Sequence, residues 1–256
     1  MTSSERFEAL LAEGESVPIA GWDFSWFEGR ATEERPSWGY LRLMSERMAS
    51  ASAALDVQTG GGEVLARVSR PPALLLATES WPPNLEIARR NLEPLGATVI
   101  EAADDANLPF AEESFDLVVS RHPVITRWDE IARVLRPGGI YFSQQIGAGT
   151  NRELTESIIG PQSVRETQRP GQVAAAAAAA GLEVADLRHE SLRVTFNDIG
   201  AVVHFLRKVI WTVPDFSVVR YRSQLRSLHD RIERDGRFVC HAERILIEAR
   251  KPGRRG

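Results

Sequence analysis

In the segment 55–65, LDVQTGGGEVL, an acidic residue, Asp56, precedes three consecutive glycines, Gly60, Gly61 and Gly62. Small residues there let a backbone approach a bound ligand closely. Gln58 stands where such turns usually carry another glycine. Its amide has donor and acceptor groups, which suit it to folding over the loop, contacting the ligand or intruding on the ligand's space. Three further features carry compatible chemistry. Glu79, in LLLATESWPPN, is a carboxylate able to accept two hydrogen bonds from a ribose-type diol. The acid pair in ADDANLPF (103–110), Asp104 and Asp105, includes a carboxylate suited to accept from an exocyclic amine of a base such as adenine. The fourth is Ser120-Arg121-His122, where an imidazole that titrates near neutrality stands beside a guanidinium.

These groups converge only if the chain folds so as to bring them to one edge. Short apolar, β-branched runs at 53–57, 73–78, 97–102, 115–120 and 139–146 read as strands buried on both faces, with crossover helices such as NLEIARRNLEPL and RWDEIARVL between them. Each candidate group then lies at the carboxyl end of a strand, where ligands bind in open parallel sheets. The loop 58–62 is expected to run into a helix opening at Glu63. The seven alanines Ala174–Ala180 end at Gly181 and predict a helix rather than a linker, since alanine has the best helix propensity and glycine is a natural stop. Segment 182–196 reads as a sixth strand and segment 237–250 as the last. The fold class is therefore α/β: a doubly wound, mostly parallel, seven-stranded sheet.

The order and spacing of these motifs resemble those of the class I S-adenosylmethionine-dependent methyltransferases, over about residues 53–147. DVQTGGG matches an acid-x-Gly-x-Gly-x-Gly signature except at Gln58, LPFAEESFDLVVS matches LPF…FDLV, and RVLRPGGIYF matches the turn before the fifth strand. The wording TGGGEVL, ATESWPPN and LRKVIWTVP is similar to that of an actinomycete-type subgroup with unassigned substrate. The resemblance implies a Rossmann-like methyltransferase fold with S-adenosyl-L-methionine as cofactor. Asp56 and the backbone of Thr59 and Gly60 would hold the methionine portion, with Gln58 nearby. Glu79 would take the ribose hydroxyls, Ser80 and Trp81 would flank the adenine, and Asp104 with the backbone of Asp105 would meet its amine. Ser120, Arg121 and His122 would line the space beside the sulfonium. His122 is the candidate general base; Arg121 and Gln144 are candidate substrate contacts.

Around this core the chain divides into four stretches. Residues 1–51 hold an amphipathic helix (about 4–13), an aromatic segment with Trp22, Phe24, Trp26, Trp38 and Tyr40, and a helix from about 38 to 51. Residues 52–197 are expected to form the cofactor-binding core, 198–236 a helical insertion that serves as a substrate cap, and 237–256 the final strand and tail. Trp26 and Trp38 are read as lid or core, and His204, on the inserted helix, as a further substrate-facing base candidate or a packed residue. Enclosure by aromatics and an insertion favours a small-molecule acceptor over a polymer.

Composition narrows the alternatives. The 31 basic and 35 acidic residues give a net charge of −4, which argues against nucleic acid as the main partner. Only the stripe Arg220, Arg222, Arg226, Arg231, Arg234 supports an RNA or protein methyltransferase. The five scattered histidines and the single cysteine, Cys240, predict no metal site and no internal disulfide. With no apolar run of membrane-spanning length and no secretory start, a cytoplasmic protein is expected. A dinucleotide oxidoreductase would need G-x-G-x-x-G, whereas Gly60 onward reads G-G-G-E-V-L; a P-loop lacks its GK[S/T]. A non-catalytic S-adenosylmethionine-binding module remains compatible with Gln58.

Overall fold

The structure is a computed structural model and describes residues 2–19 and 24–254; Trp22 lies outside the described residues. The chain divides into two compact units. An α/β unit contains Pro36–Ala148, Glu166–Glu190 and Arg244–Gly256, and a mainly helical unit contains Met1–Arg35, Gly149–Arg165 and Ser191–Glu243.

In the α/β unit, helix α2 (Tyr40–Met48) precedes strands β2 (Ala53–Asp56), β3 (Leu74–Glu79), β4 (Thr98–Glu101), β5 (Phe115–Arg121) and β6 (Leu135–Ile146). Helices α3 (Pro82–Leu92), α4 (Trp128–Val134) and α6 (Pro170–Ala179) supply crossovers and cover. Strands β2, β3, β4, β5 and β6 pair in parallel, in the order β6-β5-β2-β3-β4. β8 (Phe238–Arg250) joins β6 antiparallel, from Ile146↔Arg244 to Ile140↔Arg250. β7 (Glu183–Phe196) follows β8 in the order, and β1 (Ala31–Glu33) follows β7. Among the described residues the mostly parallel sheet thus has eight strands rather than seven. The extra strand is β1, whose three residues pair antiparallel with Val194–Phe196 of β7.

Every residue of β2 is buried. Alternation sends Ala54 into one apolar layer with Met44, Met48, Leu92 and Phe142, and Leu55 into the other with Val118, Tyr141 and Ile247. Burial on both faces explains why these strands read as continuous apolar runs. The alanine run is a helix, with Val173 and Ala177 buried and Gly181 beyond its end at φ 80°. No helix opens at Glu63. Only a 3-10 turn, Leu65–Arg67, fits before Pro71-Pro72 end helical propagation.

In the helical unit, α1 (Ser3–Ser16) starts with a capping box between Thr2 and Glu5. α5 (Arg152–Ile159), α7 (Ile199–Lys208) and α8 (Arg222–Asp235) complete it around one core that includes Phe7, Leu11, Phe196, Leu206 and Leu225. Gly14 and Gly200 let α1 and α7 touch backbone to backbone: a Cβ on Gly14 would lie 2.5 Å from the Gly200 oxygen. Strands β7 and β8 each contribute one half to each unit. Among the described residues no helix is long and apolar enough to cross a membrane.

Candidate functional site

The glycine loop leaves β2 through three left-handed residues in alternation: Gln58 at φ 59°, Gly60 at 65° and Gly62 at 75°. Glycine adopts this region freely, and a residue with a Cβ does so at a cost of about 1 kcal/mol. Gly62 is further required by packing, because a Cβ there would meet Leu92 Cγ at 2.9 Å. Gln58 holds its strained backbone with four polar contacts' worth of anchoring nearby. Its N–H donates to Thr78 Oγ1 (3.2 Å), and the next residue, Thr59, donates its N–H to the Thr78 carbonyl (2.9 Å). Its side chain reaches across to the segment after β5. Val124 N–H donates to Gln58 Oε1 at 2.6 Å, and Gln58 Nε2 donates to the Ile125 carbonyl at 2.7 Å. Of the roles open to this amide, folding over the loop, contacting the ligand or intruding on its space, both of its ends are here committed to a bridge between two loops.

Beneath the bridge lies a cavity of about 20 Å³, lined among others by Gln58, Thr78, Asp104, Ser120, Ile125 and Tyr141. That is room for about one water molecule. A larger, open hollow beside Arg89, Arg90, Gly96 and Thr98 sits at the amino end of β4, away from the converging carboxylates.

Two acids flank the loop. Asp56 is 7% exposed and accepts from the Thr59 hydroxyl at 2.7 Å. Burial pushes its carboxyl up to about 7; the Thr59 bond and Arg121 oppose this, and the Glu79 charge reinforces it. Glu79 ends β3 and holds the loop in place, accepting Gly60 N–H at 2.8 Å and Trp81 N–H at 2.9 Å. Burial raises the Glu79 carboxyl, partly offset by backbone N–H bonds from Trp81, Gly60 and Ser80, while Asp104 adds repulsion. Trp81 is half exposed at the N-cap of α3. Asp104 borders the cavity, and the Asp105 carbonyl accepts from Arg127.

At the end of β5 the polar groups are already engaged. Ser120 is buried, with its hydroxyl 2.7 Å from Tyr141 Oη and 2.9 Å from Ser143 Oγ, and its carbonyl accepts from Tyr40 Oη at 3.0 Å. Arg121 is exposed. His122 takes φ 56°, and its Nε2 lies 2.9 Å from Gln144 Nε2. Gln144 Oε1 in turn accepts from Trp38 Nε1 at 2.8 Å. An indole N–H only donates, so the carbonyl of Gln144 faces Trp38 and its NH₂ faces His122. His122 Nε2 is therefore an acceptor and the ring proton sits on Nδ1. Burial, followed by the positive charges of Arg121 and Arg244, holds this imidazole well below its usual value, so the ring is neutral.

Asp56, Gln58, Thr59, Gly60, Glu79, Ser80, Trp81, Asp104, Asp105, Ser120, Arg121, His122, Gln144 and Trp38 all belong to the α/β unit. Trp26 and His204 belong to the helical unit. There they pack on each other, ring centroids 5.0 Å apart, with Phe27 stacked on His204 at 4.9 Å. Burial and the neighbouring Lys208 and Arg207 lower the His204 imidazole to about 4.

Some participants carried no recognisable signal. Val124 and Ile125, exposed apolar residues, matter here through their backbone. Glu130 and Arg133 of α4 secure the LPF segment: Glu130 accepts Leu108 N–H at 2.7 Å, and Arg133 donates to the carbonyls of Leu108 (3.0 Å) and Phe110 (2.8 Å). Their i,i+3 spacing looks like an ordinary helix-surface pair.

Residues 55–143 match the methyltransferase domain family. Two curated relatives match part of the chain. The biotin biosynthesis bifunctional protein BioHC of Cellvibrio japonicus is 32% identical over 108 residues, 39% of this chain and 21% of the relative. The release factor glutamine methyltransferase of Neisseria gonorrhoeae is 36% identical over 96 residues, 36% of this chain and 34% of the relative. The matches thus span about a fifth and a third of those proteins. Among solved structures, a candidate methyltransferase from Bacillus halodurans superposes with a TM-score of 0.59 at 19% identity, covering 83% of this chain and 98% of the other. At that identity the likeness shows a shared fold.

Proposed function

We propose, from the premise that residues 55–143 form a methyltransferase domain of the class I S-adenosylmethionine-dependent family, that the chain transfers a methyl group from S-adenosyl-L-methionine to a small-molecule acceptor. The observation that carries this reading is the meeting, in one unit, of Asp56, the left-handed glycine loop, Glu79, Asp104 and His122 at the carboxyl ends of β2, β3, β4 and β5.

The residues fit the cofactor's polar ends. Asp56 is a carboxylate whose ionisation is held back by burial, and the positive charge of a methionine ammonium would favour its charged form. Glu79 accepts backbone N–H groups of Gly60 on one oxygen and Trp81 on the other, with Ser80 adding a third, and a carboxylate's remaining lone pairs suit ribose hydroxyls. Gly60 has open space where a Cβ would stand, so the backbone can lie against the methionine portion. Ser80 and Trp81 would flank the adenine, and Asp104 with the Asp105 backbone would meet its amine. When bound, the sulfonium supplies an electrophilic methyl, which an acceptor lone pair takes while the electron pair of the broken carbon–sulfur bond stays on sulfur. The chain's own contribution is chiefly alignment of the acceptor by the Arg121–His122 corner.

A cytoplasmic setting accords with the lone Cys240, which is buried. A polymer acceptor has weaker support, because the arginine stripe of α8 is largely engaged. Arg222 pairs with Glu8, Arg231 and Arg234 pair with Asp235, and Arg226 covers the Phe7 ring. The Gln58 bridge favours one second reading, a module that binds S-adenosylmethionine without turnover.

Calorimetric titration with S-adenosylmethionine and S-adenosylhomocysteine, followed by turnover across a panel of small acceptors, separates these readings. Failure of folded protein to bind either compound rejects both. Binding without methyl transfer to any acceptor supports the module.

A further inference from the structure

We propose that Trp38 is a positioning residue that, through Gln144, holds His122 as a hydrogen-bond donor toward the methyl acceptor instead of as a base. The inference rests on the methyl-transfer reading and on a directional chain of three side chains, Trp38 Nε1–H to Gln144 Oε1 at 2.8 Å and Gln144 Nε2–H to His122 Nε2 at 2.9 Å. Direction enters at one end only. Trp38 cannot accept, so it fixes the amide; the amide fixes the imidazole tautomer.

Burial makes the chain rigid. Trp38 and Gln144 are each 3% exposed, and Trp38 lies in the apolar layer with Tyr40, Phe142 and Leu246. An amide flip would set Gln144 NH₂ against the indole N–H, leaving two donors face to face in a dry environment. Such a mismatch costs about 1–3 kcal/mol. His122 is also fixed by its backbone, whose N–H donates to the Gln144 carbonyl at 2.7 Å. The charged groups acting on the ring are Arg121 beside it and Arg244 on β8, and both disfavour an imidazolium.

The chemical consequence is a constraint on the acceptor. Nε2, the only lone pair on a neutral ring protonated at Nδ1, is occupied by Gln144, so His122 has no basic nitrogen to offer. What remains is the Nδ1–H. It suits an acceptor molecule that presents a lone pair there, such as a carbonyl, carboxylate or ring nitrogen, and whose nucleophilic atom needs no imidazole to deprotonate it, such as a free amine, a thiolate or a carboxylate.

The test is the nitrogen NMR spectrum of the ¹⁵N-histidine-labelled full chain, which distinguishes protonated from pyridine-type ring nitrogens without any turnover. The expected result is a His122 ring protonated at Nδ1, with pyridine-type Nε2, unchanged from about pH 6 to about pH 8. Trp38→Phe should release the amide and give a mixture of tautomers. Gln144→Glu, which leaves only acceptors beside the ring, should move the proton to Nε2 and bring a titration into the neutral range. A wild-type ring protonated at Nε2, or one titrating near its ordinary value, overturns the proposal. So does a Trp38→Phe protein with an unaltered His122 spectrum. The wild-type measurement stands even if a variant fails to fold. Titration with S-adenosylhomocysteine tests the underlying reading separately, so either can fail alone.

Discussion

Gln58 and Val124 are joined across the mouth of the site: the Val124 N–H donates to Gln58 Oε1 at 2.6 Å, and the same amide donates onward to the Ile125 carbonyl. A residue strained into glycine's conformation is thus the tie between the loop after β2 and the loop after β5. The cavity underneath, about 20 Å³, is far smaller than a nucleoside. Gln58→Gly removes both hydrogen bonds and the left-handed strain. We expect S-adenosylhomocysteine to bind about 5- to 30-fold more tightly, corresponding to about 1–2 kcal/mol no longer needed to open the bridge. Weaker binding in calorimetry would instead make the amide a ligand contact.

Asp56 predicts a pH dependence. Its folded-state value of about 7 lies above the ordinary 3.8, so it is partly protonated near neutrality. A cationic ligand end favours the ionised form, so affinity should rise as pH climbs through 7, with proton release on binding. Calorimetry in two buffers of different ionisation enthalpy would measure that release. Stability runs the opposite way. Between 3.8 and about 7 the unfolded chain loses this proton while the folded chain retains it, so this residue's contribution falls with rising pH and levels off above 7. Asp56→Asn should therefore raise the melting temperature at pH 8 by a few degrees and weaken binding. A lower melting temperature would contradict the assignment.

Glu79 and His122 should separate in their effects. Glu79→Ala removes the acceptor of the Gly60 and Trp81 N–H groups as well as the expected ribose contact. Loss of charge-assisted hydrogen bonds should weaken S-adenosylhomocysteine binding about 10- to 100-fold. His122→Ala should leave that binding within about threefold and act on turnover. The reverse pattern in binding and single-turnover assays would exchange the two roles.

Arg133 tests the support of the LPF segment, 108–110. Arg133→Ala strips two carbonyls of their donor and leaves the buried Glu130 carboxylate without its cation. A loss of about 1–3 kcal/mol in denaturant unfolding is expected, together with weaker cofactor binding. Unchanged stability would show that the LPF segment is held by other contacts.

The groups that were legible in the sequence share one property: a strand end marks them. Asp56, Glu79, Asp104 and His122 each follow an apolar run whose two-sided burial forces the continuous pattern, so periodicity alone puts them on one edge. The Trp38–Gln144–His122 chain has no such marker, because its first two members are 106 positions apart and only the folded sheet makes them neighbours. Gln58 was visible as an irregularity, but its partners Val124 and Ile125 act through backbone atoms, which carry no residue signature. Two short elements carry no sequence signature for a different reason. β1 has three residues and among the described residues pairs only with β7, and α5 has eight and lies outside the strand-helix alternation that marks the seven-residue α4 as a crossover. At Glu63 the expected helix was stopped by Pro71-Pro72, and only a 3-10 turn fitted before them.

The interleaving of the two units bears on how this protein can be altered. Its chain passes between them five times, twice within a strand, at Glu190/Ser191 of β7 and Glu243/Arg244 of β8. No single proteolytic cut leaves both units whole. Replacing the helical unit by gene fusion would take three grafts in register, one of them spliced mid-strand at both of its ends, where a one-residue error turns every following side chain to the wrong face. Single substitutions leave this arrangement of the chain in place, whereas exchange of a whole unit breaks two strands.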